Sequence, residues 1–234
     1  MEKIILDRLY YFCEKNFIIP VNQAGFRKGR STIDHLTKLT MQVKRQFARR
    51  QNILATFFDV KKAYDQVWHS RLLYKLKSIG ISGNLYSYIK SFLCERKIQT
   101  RIGSTYSSEK NLEMGIPQGS VIAPILFNIL MHDLPKVLSN KVNLVQYAND
   151  VCMWANVNLK KKSNIRTINY TKKIYQRVLD NMHGFIKSNG LTLSVEKTNM
   201  VLFTSGSDPE NMPQFKINNN FIEYKQVVKF LGVN

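Results

Sequence analysis

Apolar positions recur along the chain at intervals that name the elements they belong to. Ile33, Leu36, Leu39, Val43 and Phe47 fall on one side of a helix over residues 32–50, with basic residues elsewhere on its surface. Leu72, Leu73, Leu76 and Ile79 keep helical spacing up to Gly80, and Leu85, Tyr88, Ile89, Phe92 and Leu93 make a second stripe. Tyr175, Val178, Leu179, Met182, Phe185 and Ile186 outline another helix, stopped by Gly190. SVIAPILFNILM, residues 120–131, is apolar nearly all round and predicts a buried helix. ILATFFD, residues 53–59, is short, apolar and aromatic, as a buried strand is. A hairpin is expected around Gly103 and Ser104, and NLVQYAND and VCMWA read as two strands joined by a tight turn. Short strands are expected at 200–204, 214–217 and 226–231. Helices interleaved with hairpin-linked strands predict an α+β fold, a mainly antiparallel sheet with helices on one face.

Composition narrows the partner. The 234 residues suffice for one large domain, or one with a lobed extension. Lys and Arg number 35 against 16 Asp and Glu, a formal charge of +19 that points to a polyanion. Apolar runs are broken by Asn, His or Lys before they reach the ~18 residues a membrane span needs, and the first residues carry Glu2 and Asp7 with no small-residue cleavage site. No signal peptide and no membrane span are expected. Cys13, Cys94 and Cys152 lie far apart, as buried thiols in a reducing compartment do. His35, His69, His132 and His183 are scattered, without the spacing that zinc requires.

Two carboxylates stand out. Asp59 ends the buried strand and Asp150 sits at the turn of the candidate hairpin. A buried ionised carboxylate needs a partner or a metal. In so basic a chain, two acids at strand ends suggest a divalent cation facing a phosphate. Asp is also common in turns, and spacing alone leaves turn capping open.

Six ordered segments carry a resemblance. NQAGFRKGRSTIDHL (22–36), FFDVKKAYDQVWH (57–69), MGIPQGSVIAPILFNILMHDL (114–134), YANDV (147–151), NGLTLSVEKTNMVLF (189–203) and VKFLGV (228–233) resemble, in order, motifs of reverse transcriptases of jockey-like non-LTR retrotransposons. The resemblance covers nearly the whole chain. It implies an RNA-directed DNA polymerase that uses Mg2+ or Mn2+, an RNA template, a DNA primer and deoxynucleoside triphosphates; oligomeric state is open. It also implies an intracellular place, nucleus or cytoplasm. It implies a polymerase palm over 53–234 with a fingers insertion near 72–113, and a partial fingers region with an N-terminal helix over 1–52. Asp59 and Asp150 would bind metal, with Val60 lending a carbonyl. Tyr64 would exclude a ribose 2′-hydroxyl, or stand as a plain core aromatic. Pro117, Gln118 and Gly119 would line the nascent base pair, with Gln118 bonding the sugar and Gly119 admitting the template. Lys197 would give a proton to pyrophosphate or contact phosphate. Arg27, Lys28 and Arg30 would meet the template backbone, with Gly25 and Gly29 allowing close approach. Lys44, Arg45, Arg49 and Arg50 extend that basic surface, and Lys160 to Lys162 are a solvated charge run or further backbone contacts. Leu231 and Gly232 belong to the primer grip. Asp65 and His69 match the family too and read as structural, Asp65 as a helix cap.

The sequence departs from the family at one decisive position. Where the family has Tyr-Ala-Asp-Asp, this chain has Tyr147-Ala148-Asn149-Asp150. Asn keeps the shape of Asp but loses its charge and presents an NH2 donor. The resemblance then implies a weakened or inactive polymerase, or alternatively a catalytically dead module that binds RNA or an RNA–DNA hybrid. A product of a degenerate element with no selected role is a further reading. The chain also begins near the fingers motif, without the family's Arg-Pro-Ile-Ser-like segment, and ends after the primer grip, so an absent thumb and a fragmentary or decayed element are expected.

Overall fold

The computed structural model describes residues 1–94, 96–159 and 163–233. Lys160 to Lys162 lie outside the described residues. In chain order the elements are α1 (Glu2–Lys15), α2 (Thr32–Ala48), β1 (Asn52–Phe58), α3 (His69–Ser78), α4 (Gly83–Leu93), β2 (Arg96–Ile98), β3 (Arg101–Ile102), β4 (Thr105–Tyr106), β5 (Lys110–Leu112), α5 (Ala123–Met131), α6 (Leu134–Val137), β6 (Asn143–Tyr147), β7 (Asp150–Val157), α7 (Ile165–Ser188), β8 (Asn199–Phe203), β9 (Lys216–Ile217), β10 (Asn220–Phe221) and β11 (Glu223–Tyr224). They form two compact units: Met1–Ile19, Lys62–His132 and Asn189–Leu191 in one, and Pro20–Lys61, Asp133–Ser188 and Thr192–Asn234 in the other.

The second unit is built on a five-stranded sheet, ordered β11-β8-β1-β7-β6, antiparallel except at β11. Central β1 is buried at all its positions. Successive strand side chains point to opposite faces, so full burial requires cover on both. Ile53, Ala55 and Phe57 join Leu39 of α2, Trp154 and Val201 in one core cluster. On the opposite face Tyr175 of α7 reaches β1. Its hydroxyl lies 3.0 Å from that of Thr56 and donates to the Leu54 carbonyl at 3.2 Å. The expected α+β class stands, but helices cover both faces of the sheet rather than one. Periodicity shows which side of a helix is buried, not which surface it meets.

α7 buries the six positions its spacing marked, plus Thr171. It begins earlier than its apolar stripe, because its first turns are basic and polar. The strand expected over 226–231 is not formed. The chain turns back on itself instead, with Phe230 and Val233 exchanging backbone hydrogen bonds of 2.7 and 3.0 Å. Leu231 and Gly232 take positive φ, +50° and +86°, which closes the turn and stops any ladder. The short β11 pairs with β8 in its place.

The first unit is mainly helical. α5 is buried at every position but Pro124, which lies in its first turn, where a missing N–H costs nothing. α1 contributes Ile5, Leu9 and Cys13, α3 Leu72 and Leu76, and α4 Ile89 and Leu93. Lys75 is buried and donates to the Leu130 carbonyl. The expected hairpin turns at Gly103 and Ser104 between β3 and β4, and β2 pairs with β5 beside it.

Candidate active site

Asp59 leaves the buried end of β1 held by its backbone. Ser194 N–H donates to the Asp59 carbonyl at 2.8 Å, and Asp59 N–H donates to Thr198 Oγ1 at 3.4 Å. Thr198 Oγ1 in turn donates to the Ser194 carbonyl at 2.7 Å, so the VEKT segment is a closed turn strapped to Asp59. Lys61 N–H donates to Thr192 O at 2.9 Å, and Val60, with its side chain buried, bridges to Leu193.

Asp150 begins β7. The β1–β7 register ends at Phe58↔Val151, and one step further it sets Asp59 opposite Asp150. Both acids line a cavity of about 300 Å3 with Lys197, Lys225, Lys229 and Leu231. Burial, and then the charge of Asp59, hold the Asp150 carboxyl above its ordinary range. Two facing, half-buried carboxylates that repel each other fit a divalent cation, which would remove both penalties. Among the described residues no cluster of three or more His, Cys, Asp or Glu could hold a metal. Asn149 occupies the turn beside Asp150, half-buried.

The first unit carries Tyr64, Pro117, Gln118 and Gly119. Tyr64 stacks on Phe127 with ring centroids 5.1 Å apart, and burial pushes its hydroxyl up to about 12, so it stays protonated at any working pH. Ile116 N–H donates to the Tyr64 carbonyl at 2.8 Å, which ties the IPQG loop to that residue. Gln118 Nε2 donates to Asp65 Oδ1 at 2.8 Å. Asp65 therefore holds Gln118 and does not cap α3, whose N-cap is Trp68 without a side-chain bond. His69, read as structural, is buried at the first turn of α3 and bonds the Gly115 carbonyl at 2.7 Å, which anchors the start of that helix. Gly119 has φ +90° with open space where a Cβ would stand, so backbone conformation alone selects glycine there.

The basic loop divides. Arg27 directs Nη1 to the Pro20 and Gln23 carbonyls, both at 3.0 Å, and so closes the loop on itself. Lys28 and Arg30 are exposed, as are Lys44, Arg45, Arg49 and Arg50. Gly25 differs from its expected role. It is buried against the chain's own backbone, where a Cβ would lie 2.2 Å from Ala148 N, so no phosphate approaches it.

The sequence pattern assigned no role to Lys225, Lys229 or His35. Lys229 lies inside the quoted VKFLGV segment and could have been weighed; Lys225 carries no spacing signal. His35 is buried and bonds the Gln146 carbonyl at 2.7 Å, and burial lowers its pKa, so the neutral ring donates from Nε2.

The family model described as reverse transcriptase (RNA-dependent DNA polymerase) matches residues 1–234. The chain belongs to this reverse transcriptase family. The RNA-directed DNA polymerase from mobile element jockey of Drosophila funebris is 30% identical over 239 residues, covering 100% of this chain and 25% of that protein. Its Drosophila melanogaster counterpart is 29% identical over 239 residues, with the same coverage. The chain thus spans about a quarter of the length of these curated relatives. Among solved structures, an apo telomerase from Candida tropicalis truncated from its C-terminal domain aligns with a TM-score of 0.60 at 14% identity, over 100% of this chain and 44% of that one. A Candida albicans telomerase in complex with a fragment of telomeric RNA aligns at 0.58 and 13%, over 92% of this chain and 36% of that one. At those identities the likeness is one of fold, and that fold is the palm-type arrangement of this reverse transcriptase sheet. Among the described residues no helix is long and apolar enough to cross a membrane.

Proposed function

We propose that this chain is the nucleotidyl-transfer core of an RNA-directed DNA polymerase, weakened at Asn149. The observation that carries the reading is the opposition of Asp59 and Asp150 in a cavity otherwise rich in lysine. The carboxylates would hold Mg2+ or Mn2+, with the Val60 carbonyl beside them. Such ions supply charge neutralisation and an activated 3′-hydroxyl in phosphoryl transfer. Lys197, Lys225 and Lys229 line the same cavity and would meet phosphate oxygens, and Lys197 would give a proton to departing pyrophosphate. In the first unit the ring of Tyr64, fixed against Phe127, would exclude a 2′-hydroxyl. Gln118, held by Asp65, would bond the sugar, with Pro117 and Gly119 shaping the loop. Leu231 and Gly232, at the tight turn before Val233, would grip the primer, and Arg27, Lys28 and Arg30 would carry the template. In this reading residues 53–234 are a palm with a fingers insertion near 72–113, and residues 1–52 are partial fingers.

Asn149 favours a second reading, in which the same fold binds an RNA template and DNA primer without chemistry. Mechanism separates the two: phosphoryl transfer depends on electrostatic positioning, and here one expected charge is replaced by an amide. Deoxynucleotide binding to a chain–template–primer complex, titrated with and without Mg2+, distinguishes them. The polymerase reading predicts that Mg2+ tightens binding and that Asp59→Asn removes the gain. Binding indifferent to Mg2+ leaves only the non-catalytic reading.

A further inference from the structure

The turn that presents Asn149 and Asp150 contains no glycine, yet Ala148 takes φ +56°, a left-handed conformation that L-residues avoid. Something must hold it there. Gln23 is 1% exposed, and its side chain bonds both backbone groups of Ala148. Gln23 Oε1 accepts from Ala148 N–H at 2.9 Å and from Gly25 N–H at 2.8 Å, and Nε2 donates to the Ala148 carbonyl at 3.3 Å. Gly25 closes the same contact: its φ is unremarkable, but a Cβ would stand 2.2 Å from Ala148 N and 2.9 Å from Tyr147 C. Backbone bonds flank the clamp, from Ala24 N–H to Gln146 O at 2.9 Å and from Gln146 N–H to Asn22 O at 2.8 Å. These run along the edge of β6 that no strand covers among the described residues.

We propose that Gln23 and Gly25 are positioning residues for metal binding. They fix the backbone of the Tyr147–Asp150 turn, and with it the direction in which Asp150 presents its carboxylate to the cation it shares with Asp59. Groups that orient ligands in this indirect way typically govern metal affinity by about 10- to 100-fold. Within the segment NQAGFRKGR, Gln23 and Gly25 are buried against the turn, whereas Lys28 and Arg30 are exposed. The proposal rests on the metal reading of Asp59 and Asp150.

The test is a titration of the whole chain with Mn2+, followed by electron paramagnetic resonance, alongside template–primer affinity measured by fluorescence anisotropy without metal. Gln23→Met removes the hydrogen bonds and keeps the volume. Gly25→Ala keeps Gln23 and adds a methyl group against the turn. Asn22→Ala loses only a side-chain bond to the Leu144 carbonyl and serves as the local control. Both Gln23→Met and Gly25→Ala are expected to weaken Mn2+ binding by about tenfold or more, with metal-free template–primer affinity and cooperative melting retained. Asn22→Ala is expected to bind Mn2+ like the native chain. If either variant melts cooperatively and binds Mn2+ natively, the proposal is overturned, and a variant that fails to fold leaves the decision to the other. An Asn22→Ala chain as defective as the other two would make the effect one of general stability and would equally overturn it. A native chain that binds no Mn2+ would instead overturn the metal reading beneath it.

Discussion

At the scale of residues, the facing ends of β1 and β7 bring Asp59 and Asp150 to one cavity. Asp59 and Asp150 could be read in advance because each breaks an apolar strand pattern with a charge, and because their motifs place them. Gln23 could not. It is a neutral side chain whose reason for being there lies 125 positions away, in a backbone contact that no local pattern reports. A stability test belongs at this scale. The Asp150 carboxyl is raised above its ordinary 3.8, so its protonated form is favoured by folding. Its ionisation at neutral pH costs stability, and that cost disappears as pH falls through the raised value towards 3.8. Asp150→Asn is therefore expected to melt higher than the native chain at pH 7 without divalent cation, with the gap closing in acid. Comparing the two chains at each pH cancels groups common to both, such as His35. A gap that widens on acidification would contradict the assignment. Added Mg2+ should raise the native melting temperature and not that of the variant, since only a bound ligand stabilises.

At the scale of elements, α2, β1, α5 and the β6–β7 hairpin were all legible, because each carries a strong period or a long apolar run. The layer behind β1 was not. Seven buried positions in a row announce cover on both faces, but only the Tyr175–Thr56 contact shows that α7 supplies the second. β11 escaped notice for another reason: two residues are too few for a pattern, and its pairing with β8 is set by what surrounds it. Tyr175→Phe removes the hydroxyl that bonds Thr56 and the Leu54 carbonyl of β1. It is expected to cost about 1 kcal/mol or more, a fall of about 3 °C in melting temperature for a chain of this size. Differential scanning calorimetry reads the change directly, and an unchanged transition would mean that α7 does not depend on this contact to stay docked on β1.

At the scale of the whole molecule, charge was the first property to speak and fold the next. The formal +19 forecast a polyanionic partner, and its exposed share includes Lys28, Arg30, Lys44 and Arg45. Binding to template–primer should then weaken steeply with salt, by a factor of about 1,000 between 50 and 200 mM if about six phosphates are contacted. It should differ little between template sequences. Anisotropy titrations over that range test both statements, and a flat salt response would remove the electrostatic account. In this reverse transcriptase core, the effect proposed for Asn149 in place of an acid falls on catalysis. The direct measurement is primer extension on an RNA template by the native chain and by Asn149→Asp under identical Mg2+. Restoring one preorganised charge is expected to accelerate nucleotide addition by about a hundredfold or more. Equal rates for the two chains would contradict the claim that Asn149 is what weakens this site.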